Sequence, residues 1–193
     1  MKSSFNSSQK NKRRVVVTGL GVISSIGIGV EEFWKNLIAG KSGITDIEAF
    51  DTSDYPVHKG GEVKNFRPQD FIDRRKIKHL GRASQMAIAA TQLALKDAGL
   101  KKSPARKAGV LLGTTMGESQ ILEELDRVWV EKGQSEIVED LITRYTSNNL
   151  SVNVAMHFSL RGFNAVMPIA CSSANYAIGY GYDLIRKGDG EVF

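Results

Sequence analysis

Cys171 is the only cysteine in the chain, and an apolar run, AVMPIA, delivers it to the start of a segment with helical character, SSANYAIGYGYDLIRK. A helix N-terminus favours the thiolate through the positive end of the dipole and through backbone N–H groups without intrahelical partners. The same donors would stabilise an oxyanion forming on a thioester carbonyl. The spacing fits a nucleophile. It fits equally a buried structural cysteine, a common fate of this residue beside apolar neighbours. A single cysteine forms no internal disulfide, and His58, His79 and His157 are too scattered to complete a zinc site with it. No metal and no cofactor are expected. None of the histidines stands where it would recognisably pair with Cys171, so a cysteine hydrolase is the weakest of the catalytic readings.

The glycines of VVVTGLGVISSIG follow an apolar run and invite comparison with a dinucleotide-binding turn. Gly19 and Gly21 would need a third glycine at position 24, which is Ser24, and no acidic residue closes a second strand about 20 residues on. A nicotinamide site is set aside. Arg74, Arg75, Lys76, Lys78 and Arg82 form a basic cluster with no acid between Asp73 and Asp97, which by itself reads as a solvated helix start.

These groups have to be positioned by a fold that 193 residues, 41% of them hydrophobic, are enough to build. The net charge of +5 does not mark a nucleic-acid binder. Lys2, Lys10, Lys12, Arg13 and Arg14 fall in a polar tail, residues 1–14, expected to be disordered. Without these five, the 26 basic residues drop to 21, matching the 21 acidic ones, so residues 15–193 form an electrically balanced domain. No stretch is apolar enough for a signal peptide or a membrane span, which leads to the expectation of a cytoplasmic protein.

Along the chain, RRVVVTGLGVI (Arg13–Ile23) reads as a strand buried on both faces, and Val30–Ala39 as a helix with Glu31 and Glu32 in its first turn. Residues 41–70 read as an irregular excursion. A helix is predicted from about Arg74 to Ala98, a strand over Lys107–Thr114 and an amphipathic helix over Gly117–Val130. A less regular helix follows over Leu141–Leu160, then a strand at Asn164–Ile169 and a helix from Ser172 to Lys187 with Gly188 as its stop. Glu191, Val192 and Phe193 read as the start of a further strand. Alternation of continuous apolar strands with helices argues for an α/β protein built on a mainly parallel sheet.

Several stretches in one order resemble the elongating β-ketoacyl-acyl-carrier-protein synthases of the thiolase superfamily. They are RRVVVTGLGVISSIG, FWKNLIAGKSGI, the FDTSDY turn, MAIAATQLALKDAGL, SLRG and IACSSANYAIGYGYDLIRKGDGEV. The chain departs from the family pattern at Phe163, Pro168 and Ile169. The resemblance implies a thiolase-like αβαβα layered fold, of which this chain would be the amino-terminal half, truncated at its C-terminus. It assigns to Cys171 the acyl-accepting role and to Met116, in the GTTMG turn, a place closing the acyl pocket, although a methionine there is equally ordinary packing. It matches Arg75 and Lys78 to positions that present positive charge to acyl carrier protein.

The reaction it implies is a decarboxylating Claisen condensation of an acyl thioester on Cys171 with malonyl-carrier protein, in fatty acid or polyketide biosynthesis, by a homodimer in the intact enzyme. The family's two decarboxylation histidines, their lysine and a glycine-rich loop would lie beyond residue 193. Residues 1–193 alone are therefore expected not to condense. The alternative is a non-condensing fragment or partner subunit of a ketosynthase complex.

Overall fold

A computed structural model describes residues 13–100 and 106–193. The first twelve residues of the expected basic tail lie outside them.

The centre of the fold is a parallel pair, β5 (Val110–Gly113) and β6 (Asn164–Met167), registered Val110 to Asn164 and Gly113 to Met167. Alternation along β5 sends neighbouring side chains to opposite faces. Val110 enters a buried cluster with Ile72, Ile88 and Val154, whereas Leu111 faces Gly181 on the other side. The first face is covered by α3 (Arg82–Asp97) and α6 (Asn148–Phe158), the second by α7 (Ser173–Lys187). Hydrogen bonds between the buried Ser84 and Ser151 and partly covered asparagines tie these layers together. Ser151 donates to Asn164 Oδ1 at 2.6 Å, Asn164 returns a bond to the Ser151 carbonyl at 3.0 Å, and Asn153 donates to Ser84 Oγ at 2.9 Å. Truncating the fully buried Ile88 to alanine would cost about 2–5 kcal/mol.

A second cluster, Ile121, Leu125 and Leu141, holds α4 (Ser119–Lys132) against α5 (Glu139–Arg144). The amino-terminal region adds a short hairpin, β1 (Ile23–Ser24) with β2 (Gly27–Ile28), and helix α1 (Val30–Ile38). The irregular excursion contains the antiparallel pair β3 (Thr45–Asp46) and β4 (Lys59–Gly60). Helix α2 (Arg74–Ile77) leads into α3.

Four expectations need correction. The valine run is no buried strand: Val16 is 60% and Val17 78% exposed, and only Ile23–Ser24 of Arg13–Ile23 joins a ladder. An extended segment becomes a strand only when another strand takes its backbone groups. Here residues 15–19 instead face Leu111–Gly113 and Phe193 across a groove of about 520 Å3. Second, the helix expected over Arg74–Ala98 is two, broken at Lys78–Gly81, and its most buried positions are Ser84, Ile88 and Ala89. Its alanine face meets Gly19 and Gly21 instead, where a Cβ on Gly21 would stand 2.8 Å from the Ala94 amide nitrogen.

Third, the helix expected over Leu141–Leu160 is broken at Tyr145–Ser147, where Ser147 Oγ reaches the Thr115 carbonyl. Fourth, the mainly parallel sheet is, among the described residues, one parallel pair beside two small antiparallel ones. Val192 makes a single ladder-like bond, accepting from the Gly109 amide at 2.9 Å, and residues 191–193 form no regular strand. The glycine cluster is thereby explained: its glycines admit the close approach of α3.

Candidate active site

Cys171 lies on the turn between β6 and α7, where Pro168 ends the strand and a single 3₁₀ turn, Ala170–Ser172, starts the helix. Ala170 has φ 45°, a left-handed conformation that costs a non-glycine residue about 1–3 kcal/mol. The two serines that follow Cys171 hold that strain. Ser173, 4% exposed, donates its hydroxyl to the Ala170 carbonyl at 2.7 Å and accepts the Ile169 amide at 2.9 Å. Ser172 donates its hydroxyl to the Ile169 carbonyl at 2.9 Å. The backbone bends sharply, the serines turn inward, and Cys171 is left exposed. In this chain Cys171 is not a buried cysteine.

The turn sits where it does because β5 ends in glycine. A Cβ on Gly113 would run into the backbone of Ser173 and Ala174, so the first turn of α7 rests on the carboxyl end of β5. The segment leaving that end is Thr114–Gly117, which carries Met116. Cys171 and Met116 therefore leave the carboxyl ends of adjacent parallel strands, the edge at which open α/β sheets place their ligands. Met116 is 70% exposed in this chain.

The histidines are placed elsewhere. His58 pairs with Thr52 Oγ1 at 3.1 Å in the excursion. His79 and His157 line a cavity of about 310 Å3 with Lys76, Leu80 and Asn153, and Cys171 is not among its walls. His157 stacks edge-on against Phe158, and burial, aided by the charge of Lys76, holds its pKa below the usual imidazole value.

The basic cluster is less uniform than its sequence. Arg75 and Lys78 are exposed, on α2 and at its C-cap. Asp73 caps α2 by accepting the Arg75 amide at 2.8 Å, and its carboxylate also meets Arg75 Nε at 3.3 Å. These bonds, the side-chain one foremost, lower the Asp73 pKa, and Asp73 in turn raises that of Arg75. Arg82 does not belong to the surface cluster. Its guanidinium donates to the Val63 carbonyl at 2.7 Å and lies over the Phe66 ring.

One residue near the site escaped the sequence reading. Glu118, 3% exposed, follows the Met116 turn and accepts the backbone amides of Ser84 at 2.9 Å and Ala83 at 3.3 Å. The sequence signal was slight: an acid directly after a glycine turn and before an amphipathic helix, which reads as that helix's own first turn. Among the described residues there is no cluster of metal-ligating side chains, and no helix is long and apolar enough to cross a membrane.

The chain resembles known proteins over nearly its whole length. The family described as "Beta-ketoacyl synthase, N-terminal domain" matches residues 12–193. A 3-oxoacyl-[acyl-carrier-protein] synthase 2 of Synechocystis sp. is 36% identical over 179 residues, covering 92% of this chain and 43% of that protein. The protein of the same name from Vibrio cholerae is 33% identical over 184 residues, covering 94% and 44%. Among solved structures, the ishigamide ketosynthase/chain length factor superposes with a TM-score of 0.86 at 38% identity, covering 93% of this chain and 45% of its own. A type II polyketide ketosynthase, AntDE, solved with its acyl-carrier protein AntF, shares the fold with a TM-score of 0.77 at 21% identity. The chain thus spans a little under half the length of the curated relatives it matches. Its layered α/β architecture is the thiolase-like fold of ketosynthases, and the chain belongs to the β-ketoacyl synthase family, matching its N-terminal domain.

Proposed function

We propose that residues 15–193 form the acyl-accepting part of a β-ketoacyl-acyl-carrier-protein synthase, with Cys171 as nucleophile. The observation that carries this reading is the exposure of Cys171 on a strained turn at the start of α7, on the same sheet edge as Met116. The Cys171 thiolate attacks the carbonyl of an acyl thioester, the tetrahedral oxyanion is met by backbone N–H groups at the helix start, and the carrier thiol leaves. A malonyl thioester then loses carbon dioxide. The resulting enolate attacks the acyl carbonyl and expels the Cys171 thiolate, releasing a β-ketoacyl-carrier protein. In this reading Met116 bounds the acyl chain, while Arg75 and Lys78 face an acidic acyl carrier protein. The intact enzyme works as a homodimer in the cytoplasm, in fatty acid or polyketide biosynthesis.

The test is a two-stage assay on the full-length protein. Incubation with acyl-carrier protein should add one acyl group, mapped to Cys171 by mass spectrometry, and malonyl-carrier protein should then release it as the β-ketoacyl product. Acylation without condensation in the full-length protein would point to a non-condensing partner subunit. Absence of acylation would overturn the proposal.

A further inference from the structure

Helix α3 begins without a cap of its own. Its N-cap residue is Gly81, which has no side chain, and the amides of the first turn need acceptors from elsewhere. Glu118, 34 residues beyond Ser84, supplies them: Oε1 accepts Ser84 N–H at 2.9 Å and Oε2 accepts Ala83 N–H at 3.3 Å. Gly81 makes the room, since a Cβ there would collide with the carboxylate. A carboxylate buried to this degree is tolerable because it meets charge-assisted hydrogen bonds at the positive end of a helix.

Glu118 is also the residue that ends the Met116 turn. Gly117 before it has φ 60°, its amide faces Thr114 Oγ1 at 3.4 Å, and Ser147 Oγ closes over the Thr115 carbonyl. Gln85 Nε2 in the first turn of α3 bonds the Leu80 carbonyl at 2.8 Å and the Ile77 carbonyl at 3.3 Å. This joins α3 to the segment that carries Arg75 and Lys78.

We infer that Glu118 is a positioning residue: by clamping the Met116 turn to the N-terminus of α3 it sets where Met116 stands relative to Cys171, and so which acyl lengths are accepted. This rests on the reading of Met116 as a wall of the acyl site. Glu118 touches no substrate in this scheme. Its effect passes through the turn.

The experiment measures kcat/KM for acylation of Cys171 by thioesters of graded acyl length in the full-length protein and in the variants Glu118→Gln, Gly81→Ala and Met116→Ala. Glu118→Gln replaces one acceptor oxygen by a donor. Gly81→Ala displaces the carboxylate while leaving it in the chain. Both should change the ratio of short-chain to long-chain kcat/KM by about threefold or more, the scale on which a lost helix cap acts, in the direction set by Met116→Ala. A merely structural role would lower stability, or all chain lengths equally, with the ratio unchanged. That result, beside a Met116→Ala variant that does change the ratio, would overturn the inference alone. A ratio insensitive to Met116→Ala would overturn the reading of Met116, and the inference with it. If Glu118→Gln does not accumulate as folded protein, the ratio in Gly81→Ala decides.

Discussion

Gly113 and Ser173 meet backbone to backbone: the position a side chain would take on the last residue of β5 is already filled by the first turn of α7. Gly113→Ala is therefore expected to destabilise the protein by about 1–3 kcal/mol, as overpacking does, and to slow alkylation of Cys171 in the folded state. Gly179→Ala, in the same helix but with open space around it, should be neutral or stabilising by up to about 1 kcal/mol. Denaturant unfolding of the two variants side by side checks the pair. Equal effects would mean that the close approach does not position the helix.

Cys171→Ser should abolish thioester formation with an acyl-carrier protein while leaving the fold intact. The residue is exposed and its thiol makes no hydrogen bond among the described residues, so the change in stability should stay within about 0.5 kcal/mol. Intact-mass spectrometry after incubation with acyl donor, together with thermal unfolding, reads both. Acylation persisting in the variant would place the nucleophile elsewhere.

Asp73 neutralises part of the surface expected to recognise a carrier protein, because its carboxylate is held against Arg75. Charge reversal at Arg75 and Lys78 should slow association with an acidic carrier protein, more at low salt than at high salt. Asp73→Asn should speed it. Stopped-flow association at two ionic strengths would show this, and rates insensitive to all three changes would return the cluster to a solvated helix start.

His157 gives the fold a pH dependence of definite sign. Its pKa is lowered in the folded state, first by burial and then by Lys76, so the unfolded chain binds the proton more readily. The contribution is complete above the unfolded imidazole value of about 6.5 and is lost as pH falls through that value toward the folded one. His157→Gln should therefore flatten the fall in urea midpoint between about pH 7.5 and pH 5. A fall in urea midpoint that His157→Gln leaves unchanged would show that this ring does not carry it.

The local structure around the candidate site was legible where residue type alone decided it. Cys171 before a helix, Gly188 after it and the turn at Gly113–Gly117 all declare themselves through residue type, and the observed α7 starts within one residue of its expected place. The sequence misled where contacts between distant segments decided. Nothing local marks the break at Tyr145–Ser147, because its partner is Thr115. Nothing near Ala83 and Ser84 announces that Glu118 caps them. The valines of Val15–Val17 have strand propensity, but propensity does not supply a neighbouring strand. Helical spacing of apolar residues runs across Gly81, yet this glycine is the N-cap of α3 and leaves space for a carboxylate from another element.

The parallel register of β5 with β6 also bears on how the chain folds. Val110 and Asn164 pair across three helices, α4 to α6, and such non-local ladders form slowly because loop closure must precede their reward. Before pairing, β6 is a free apolar segment and the turn that follows it has nothing to rest on. Only when β5 docks do Gly113 and Ser173 meet and the strained turn close. The turn that presents Cys171 is thus a late product of folding, and a nascent or misfolded chain lacks it.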